Sequence, residues 1–250
     1  MGVEDLKIIC PSMGRAKACR TTLDWLPEAI LCVPEREVDE YRHYSPDAEI
    51  DPHPDDLFGL PRKRNWIAER YGDFFSVDDD NRRLQNLSIV LSENSTMKPD
   101  QTIPIIKRTY EMAEDFGAFL FGFSSRPNPL MYRGQVPFQL TGYVGGHAFG
   151  LRKGHDLYWH PECYAHTDFW LSGLNAFKNR KVFVDHRYRF DQAETFTRTG
   201  GQAAHRTVDR EKASLELLQR TFGKDVIRRK RGTHRAKQRH EGQPALKLPF

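Results

Sequence analysis

The stretch that most constrains this chain is Asp73-Phe74-Phe75-Ser76-Val77-Asp78-Asp79-Asp80-Asn81. Residues 74–77 read as a short buried strand, apolar and β-favouring apart from one serine. The strand runs straight into three carboxylates and an amide. Three adjacent acids repel one another, so a fold gathers them at a strand end chiefly where something positive sits beside them. A hard divalent cation, which takes oxygen ligands and bridges to phosphates, is the natural candidate. On an extended backbone Asp78 and Asp80 share one side and Asp79 points away. An acidic surface loop would have the same composition, so the rest of the chain has to decide.

Upstream, residues 6–10 read as a first strand. They lead into Pro11-Ser12-Met13-Gly14-Arg15, a turn with a flexible glycine and a cation, and then a helix over 16–26. Strand, glycine-containing turn and helix in that order build nucleotide sites at the carboxyl ends of strands in α/β folds. Neither GxGxxG nor a P-loop is present, which excludes the usual dinucleotide and ATP fingerprints. Residues 29–33 are a second strand, 35–43 a charged helix and 48–50 a short third strand before the turn-rich Asp51-Pro52-His53-Pro54. Residues 60–70 form a helix with Pro61 in its first turn. Its cationic start, Arg62-Lys63-Arg64, suits phosphates, although a solvated basic turn looks the same.

Downstream, 84–90 has no clear pattern. Residues 100–116 read as a helix, 118–123 as a buried strand and 136–140 as extended chain. Gly142, Gly145, Gly146 and Gly150 among aromatic residues imply a backbone that approaches something closely, or a β-bulge. Residues 156–165 are an aromatic and polar loop. A helix over 169–178 follows, with Asp168 at its beginning as an N-cap. Residues 181–184 are a strand ended by Asp185-His186-Arg187.

Charge is unevenly placed. Residues 198–250 hold 14 Lys+Arg against 5 Asp+Glu, a balance of +9, whereas 1–197 hold 24 against 29, a balance of −5. An acidic body with a basic end suggests a polyanionic partner, nucleic acid first. Residues 208–222 form an amphipathic helix. Arg228, Arg229, Lys230, Arg231, Arg235 and Lys237 then make a basic run, extended unless bound and read as a phosphate contact. At 250 residues the chain is one large domain or a domain with an appendage, divided as 1–197 and 198–250. It has no apolar run near 18 residues and no signal peptide, so a soluble, cytoplasmic protein without membrane partners is expected. Cys10, Cys19, Cys32 and Cys163 lack CxxC spacing and fit free thiols.

In this order the sequence resembles the GT-A glycosyltransferases, and particularly the TET-associated glycosyltransferases encoded by phages. The resemblance covers about residues 6–190. It is carried by Pro11-Ser12-Met13-Gly14-Arg15-Ala16, Arg62-Lys63-Arg64-Asn65, Asp78-Asp79-Asp80, Gly145-Gly146-His147-Ala148-Phe149, Thr167-Asp168 and His186. It implies a GT-A-like, Rossmann-type mixed sheet flanked by helices, with a basic C-terminal helix and tail. It implies that Asp78 and Asp80 hold Mn²⁺ or Mg²⁺ on the donor diphosphate, with His186 completing the shell. Pro11, Ser12, Gly14, Arg15, Arg62, Arg64, Asn65, Asp78 and Asp79 fall on the donor side, and Gly145 and Gly146 line the donor sugar. Asp168 matches the catalytic base of inverting members, although Thr167 stands where many members carry Glu.

The residue types suit that chemistry. A departing diphosphate builds negative charge that a metal and cations stabilise. A hydroxyl acceptor becomes a competent nucleophile once a positioned carboxylate takes its proton. The family context implies a UDP-sugar donor and, as acceptor, the hydroxymethyl group of 5-hydroxymethylcytosine or 5-hydroxymethyluracil in DNA, inside the host cell if the protein is phage-encoded. Reaching a base in a duplex requires flipping it out. Tyr143, Tyr158, Trp159 and Tyr164 are candidate stackers. Two other readings remain open at this point: a glycosyltransferase acting on a polysaccharide or protein, and a non-enzymatic nucleic-acid-binding module.

Overall fold

The computed structural model describes residues 3–89, 93–126, 129–192, 207–229 and 244–248. In chain order its strands and helices are β1 (Lys7–Pro11), α1 (Arg20–Leu23), β2 (Ile30–Pro34), α2 (Val38–Tyr44), β3 (Ile50–His53), α3 (Leu60–Tyr71), β4 (Phe74–Val77) and β5 (Asn81–Asn86). There follow α4 (Pro99–Asp115), β6 (Leu120–Phe123), β7 (Phe138–Gln139), β8 (Ala148–Leu151), α5 (Thr167–Lys178), β9 (Val182–Asp185), β10 (Tyr188–Gln192), α6 (Val208–Phe222), β11 (Ile227–Arg229) and β12 (Pro244–Leu246).

The main sheet has eight strands in the order β3-β2-β1-β4-β8-β6-β9-β7. β3, β2, β1 and β4 are parallel neighbours. β8 enters antiparallel between β4 and β6, and β9 again runs parallel to β6. This is the Rossmann-type mixed sheet flanked by helices that the family resemblance implies. Both faces are covered, so its strands are apolar nearly throughout. Alternation then sorts the side chains. Ile8, Cys10, Phe75, Val77 and Phe121 pack on one face with Ile106 and Tyr110 of α4. Ile9, Phe74, Leu120, Phe149 and Val184 pack on the other with Ile67 of α3 and Leu171 and Leu174 of α5. Gly150 of β8 is required by this packing, because a Cβ there would lie 1.9 Å from the Phe121 ring.

Several sequence expectations need correction. The helix expected over 16–26 is α-helical only at Arg20–Leu23 and otherwise consists of turns. The segment 51–53, expected as a turn, is most of β3. β3 is an edge strand, where Pro52 can sit without breaking a ladder that needs its missing N–H. The unassigned region after the acids is β5, which pairs with β10 in a separate antiparallel ribbon. α5 begins at Thr167, not 169. Its N-cap is His166, so Asp168 lies in the first turn and is not the cap.

α6 spans the expected residues and packs on α5 through Trp170, Leu217, Leu218 and Phe222. The helix carries Asp209, Glu211 and Glu216 against Arg210, Lys212 and Arg220, so the basic excess of this region lies outside it. Of the expected DNA-contacting run, Arg228 is exposed and paired with Asp225. Arg229 ends β11, and Lys230, Arg231, Arg235 and Lys237 fall outside the described residues. All four cysteines are buried free thiols. Among the described residues no helix is long and apolar enough to cross a membrane.

Candidate active site

The carboxyl ends of β1 and β4 lie side by side, and the acidic triplet leaves the sheet between them. The backbone there is a turn and not an extended run, with the Asn81 amide N–H donating to the Asp78 carbonyl across 3.3 Å. Neutral groups pin this turn. The Asp78 N–H donates to the His147 carbonyl at 2.8 Å, extending the β4·β8 ladder. The Asn81 side chain donates to the carbonyls of Asp78 and His147, both at 3.0 Å. The Thr22 hydroxyl donates to the Asn81 carbonyl at 2.9 Å.

The turn sends the three carboxylates to three different partners. Asp79 accepts from the Ser12 hydroxyl at 2.5 Å and from Arg15 at 2.8 Å, tying the end of β4 to the turn after β1. Asp80 is buried and faces the Gln192 amide at 3.5 Å. Asp78 keeps 35% of its side chain exposed and stands 3.7 Å from the Arg64 guanidinium. Burial pushes its carboxyl well above the usual carboxylate range, and the charges of Asp80 and Asp79 add to this while Arg64 opposes it.

Arg64 is the centre of the arrangement. It is buried, with its guanidinium over the rings of Phe149 and Trp159, 5.1 and 5.8 Å from their centroids. It donates to the Gly146 carbonyl at 2.6 Å and to the Thr167 hydroxyl at 2.7 Å. One side chain of α3 therefore touches the acidic turn, the glycine-rich segment and the start of α5. The bare backbone of Gly146 allows this close approach, since a Cβ would sit 3.1 Å from the Cβ of Asp168 and 3.4 Å from both terminal nitrogens of Arg64. Gly145 is equally tight against His147 and Ser125.

Asp168 faces this junction from the first turn of α5. The Tyr143 hydroxyl donates to its Oδ2, and the Phe169 N–H donates to its Oδ1 at 3.1 Å. Burial, followed by the charge of Asp168 and this hydrogen bond, pushes the Tyr143 phenol well above its ordinary value, so it remains a donor. His147 meets the acidic turn through its backbone carbonyl. Burial lowers its imidazole to about 4, which keeps it neutral near pH 7.

Not every expected residue joins this group. His186, expected in the metal shell, lies beyond β9, three strand steps from β4 and so roughly 14 Å across the sheet. Its Nε2 meets Gln139 at 2.8 Å. Asn65, expected at the donor, spends its amide on the Trp159 backbone, donating to the carbonyl and accepting from the N–H, both at 2.8 Å. Arg62 is exposed, and Gly14 holds Glu37 through its N–H at 2.7 Å. Pro11 ends β1 in the buried floor beneath Ser12. Of the candidate stackers, Trp159 is core and Tyr143 is engaged with Asp168, which leaves Tyr158 and Tyr164 nearer the surface.

Three residues have roles that the sequence reading did not assign. His147 and Tyr143 flank the glycines but show their role only through contacts. Lys63 is buried and donates to the Ser12 carbonyl at 2.9 Å. Its signal was available, because Lys63 and the buried Ile67 are four apart and share one face of α3.

A divalent cation can be set against these side chains. Asp78 and Asp80 offer hard oxygens of the kind such an ion takes. Among the described residues no three His, Cys, Asp or Glu side chains converge as a metal site. Asp78 and Asp80 are the carboxylates of this turn that would hold a cation.

A family model for TET-Associated Glycosyltransferase matches residues 6–201. Among solved structures the chain is similar to residues 1–349 of S. aureus TarS, with 11% identity and a TM-score of 0.46 over 75% of this chain and 60% of that one. A longer S. aureus TarS structure gives 10% identity and a TM-score of 0.44 over 76% of this chain and 36% of that one. Mannose-1-phosphate geranyltransferase from Thermus thermophilus gives 11% identity and a TM-score of 0.39 over 76% of each chain. The match thus spans less than two thirds of either TarS structure. No curated protein matches the chain.

Proposed function

Because the chain belongs to the TET-associated glycosyltransferase family, we propose that it transfers a sugar from a UDP-sugar to the hydroxymethyl group of 5-hydroxymethylcytosine or 5-hydroxymethyluracil in DNA. The observation that carries this reading is the Arg64 junction, which puts the acidic turn and Asp168 on either side of the bare Gly146 backbone. A transferase needs its leaving-group site and its base on opposite sides of the anomeric carbon.

In this reading Asp78 and Asp80 would hold Mn²⁺ or Mg²⁺ on the donor side. When bound, the ion supplies electrostatic stabilisation of the leaving group. Ser12, Arg15 and Asp79 shape the donor side at the end of β1, with Arg15 fixed by its ion pair to Asp79. Gly145 and Gly146 face the sugar. Asp168 takes the proton from the acceptor hydroxyl. The freed oxygen lone pair forms the new bond to the anomeric carbon as the bond to the diphosphate oxygen breaks, and its electron pair leaves with the nucleoside diphosphate. One displacement inverts the anomeric centre.

The DNA acceptor is supported by the family and by the +9 balance of residues 198–250. The test is a product assay with Mn²⁺, a panel of UDP-sugars, and DNA carrying either modified base, followed by digestion to nucleosides and mass measurement. A sugar mass added to the modified nucleoside is the expected result. Metal-dependent UDP release with unmodified DNA would move the acceptor elsewhere. Absence of both signals from folded protein would overturn the assignment of the acidic turn.

A further inference from the structure

The two glycines ahead of β8 have different neighbours. At Gly146 a Cβ would meet Asp168 and Arg64, the junction described above. At Gly145 it would meet the His147 ring, 2.9 Å from Cε1 and 3.0 Å from Nδ1, and the Cβ of Ser125 at 3.1 Å. His147 and Ser125 therefore stand together against the bare backbone of Gly145, and neither is among the groups that Arg64 holds.

Strand register puts this pair at the same edge of the sheet as the acidic turn. Val77 pairs with Ala148 and Gly122 with Phe149, and β4 and β6 both run antiparallel to β8. The end of β4, leading to Asp78, and the end of β6, leading to Ser125, thus flank the start of β8. The His147 carbonyl accepts from the Asp78 N–H at 2.8 Å, which fixes its backbone. Its side chain is not committed in the same way. His147 and Ser125 are both half-buried. Among the described residues neither the ring nitrogens of His147 nor the Ser125 hydroxyl has a hydrogen-bond partner. Besides burial, the charges that act on the imidazole are those of Asp168, Arg189 and Arg64, so the ring lies within electrostatic reach of the candidate base.

We propose that the side chains of His147 and Ser125 bind hydroxyl groups of the transferred sugar and set which UDP-sugar the protein accepts. The proposal rests on the reading of a UDP-sugar as donor. An uncharged imidazole gives one hydrogen bond and takes one, and a serine hydroxyl does both as well. A sugar hydroxyl has the same two capacities, so two such side chains next to each other match neighbouring hydroxyls of a saccharide. A phosphate would call for a cation instead. Arg189 of β10 does not supply one freely, since it is paired with Asp191 at 2.9 Å. Polar groups that have no partner of their own discriminate strongly, because a ligand lacking the matching hydroxyl leaves them unpaired. Gly145 belongs to the same device: a side chain there would displace the imidazole from its place.

The test is calorimetric binding of UDP, UDP-glucose, UDP-galactose and UDP-N-acetylglucosamine to the full chain with Mn²⁺. The three donors share the nucleoside diphosphate and differ only around the sugar ring. The parent should prefer one of them. His147→Phe keeps a ring against Gly145 and removes both nitrogens, and Ser125→Ala removes only the hydroxyl. Each should weaken the preferred UDP-sugar by roughly two- to tenfold and narrow the preference by the same factor, with UDP affinity unchanged. Unchanged UDP affinity also reports an intact acidic turn. A parent that binds UDP but holds all three donors equally, or variants that keep the parent's preference, overturn the pair as sugar contacts and leave the donor reading standing. An equal loss for UDP and for every UDP-sugar makes the two residues supports of the acidic turn and overturns the proposal. A parent that binds neither UDP nor any UDP-sugar overturns the donor reading together with it.

Discussion

Arg64 donates to the Thr167 hydroxyl across 2.7 Å, and this bond ties the helix start that carries Asp168 to the helix that reaches Asp78. The threonine stands where the family resemblance leads one to expect glutamate. A hydroxyl suffices as acceptor because Arg64 also has the Gly146 carbonyl and the Asp78 carboxylate within reach.

Thr167→Val removes that acceptor and leaves a buried, charged N–H without it. Such a loss costs about 1.5–3 kcal/mol. Urea unfolding should show this destabilisation. Steady-state kinetics should show a lower kcat with little change in the donor KM, since the donor side does not use Thr167. Thr167→Ser should restore both. Equal activity of the valine and serine variants would separate Arg64 from the positioning of Asp168.

Tyr143→Phe removes the phenol that donates to Oδ2 of Asp168 and keeps the ring against Phe169. Among the described residues the carboxylate then keeps its contact with the Phe169 N–H at 3.1 Å. Turnover should fall roughly 10- to 100-fold, as expected for a misplaced catalytic group. Calorimetric affinity for UDP should be unchanged. A parallel loss of UDP binding would show that Tyr143 acts on the donor side instead.

Two glycine substitutions should separate site geometry from packing. Gly146→Ala presses a Cβ against Asp168 and Arg64 at 3.1 and 3.4 Å, so it should depress turnover while the protein stays folded. Gly150→Ala drives a Cβ to 1.9 Å from the Phe121 ring in the core. It should lower the unfolding free energy by about 3 kcal/mol. Thermal melts and activity measured on the same preparations distinguish the two outcomes.

Cation binding should depend on pH. Burial holds the Asp78 carboxyl above its usual range, and a cation needs the ionised form. Mn²⁺ affinity by calorimetry should therefore rise from pH 6 to pH 8, by up to about tenfold per pH unit below the raised value. In metal-free protein the sign reverses. Stability contributed by protonated Asp78 is fully present below the unfolded value near 3.9 and is lost as pH rises through the raised folded value. The gain in Tm on adding Mn²⁺ should thus be larger at pH 8. A pH-independent affinity would remove Asp78 from the cation site.

Much of the architecture was legible in sequence because it follows from local periodicity. The Phe74–Val77 strand ending at the acids, the α3 helix and the amphipathic helix at Val208–Phe222 all appear where pattern reasoning puts them. β5 and β3 were not legible. β5 is polar and its pairing partner, β10, lies about a hundred residues away, and the edge position that admits Pro52 exists only once the strand order is known.

Relations between neighbours along the chain are enough to give the alternation of strands and helices, the acidic residues at a strand end, the glycine-rich stretch at 142–150, and the one-sided charge of residues 198–250. What each candidate residue does depends on the packed molecule. Packing sent Asp79 to Ser12 and Arg15, buried Arg64 as the junction, gave Asp168 a tyrosine partner, and left His186 three strands from the acids. Strand order and side-chain burial set those distances. Both come from packing two apolar sheet faces at once, a constraint that no local stretch of residues contains.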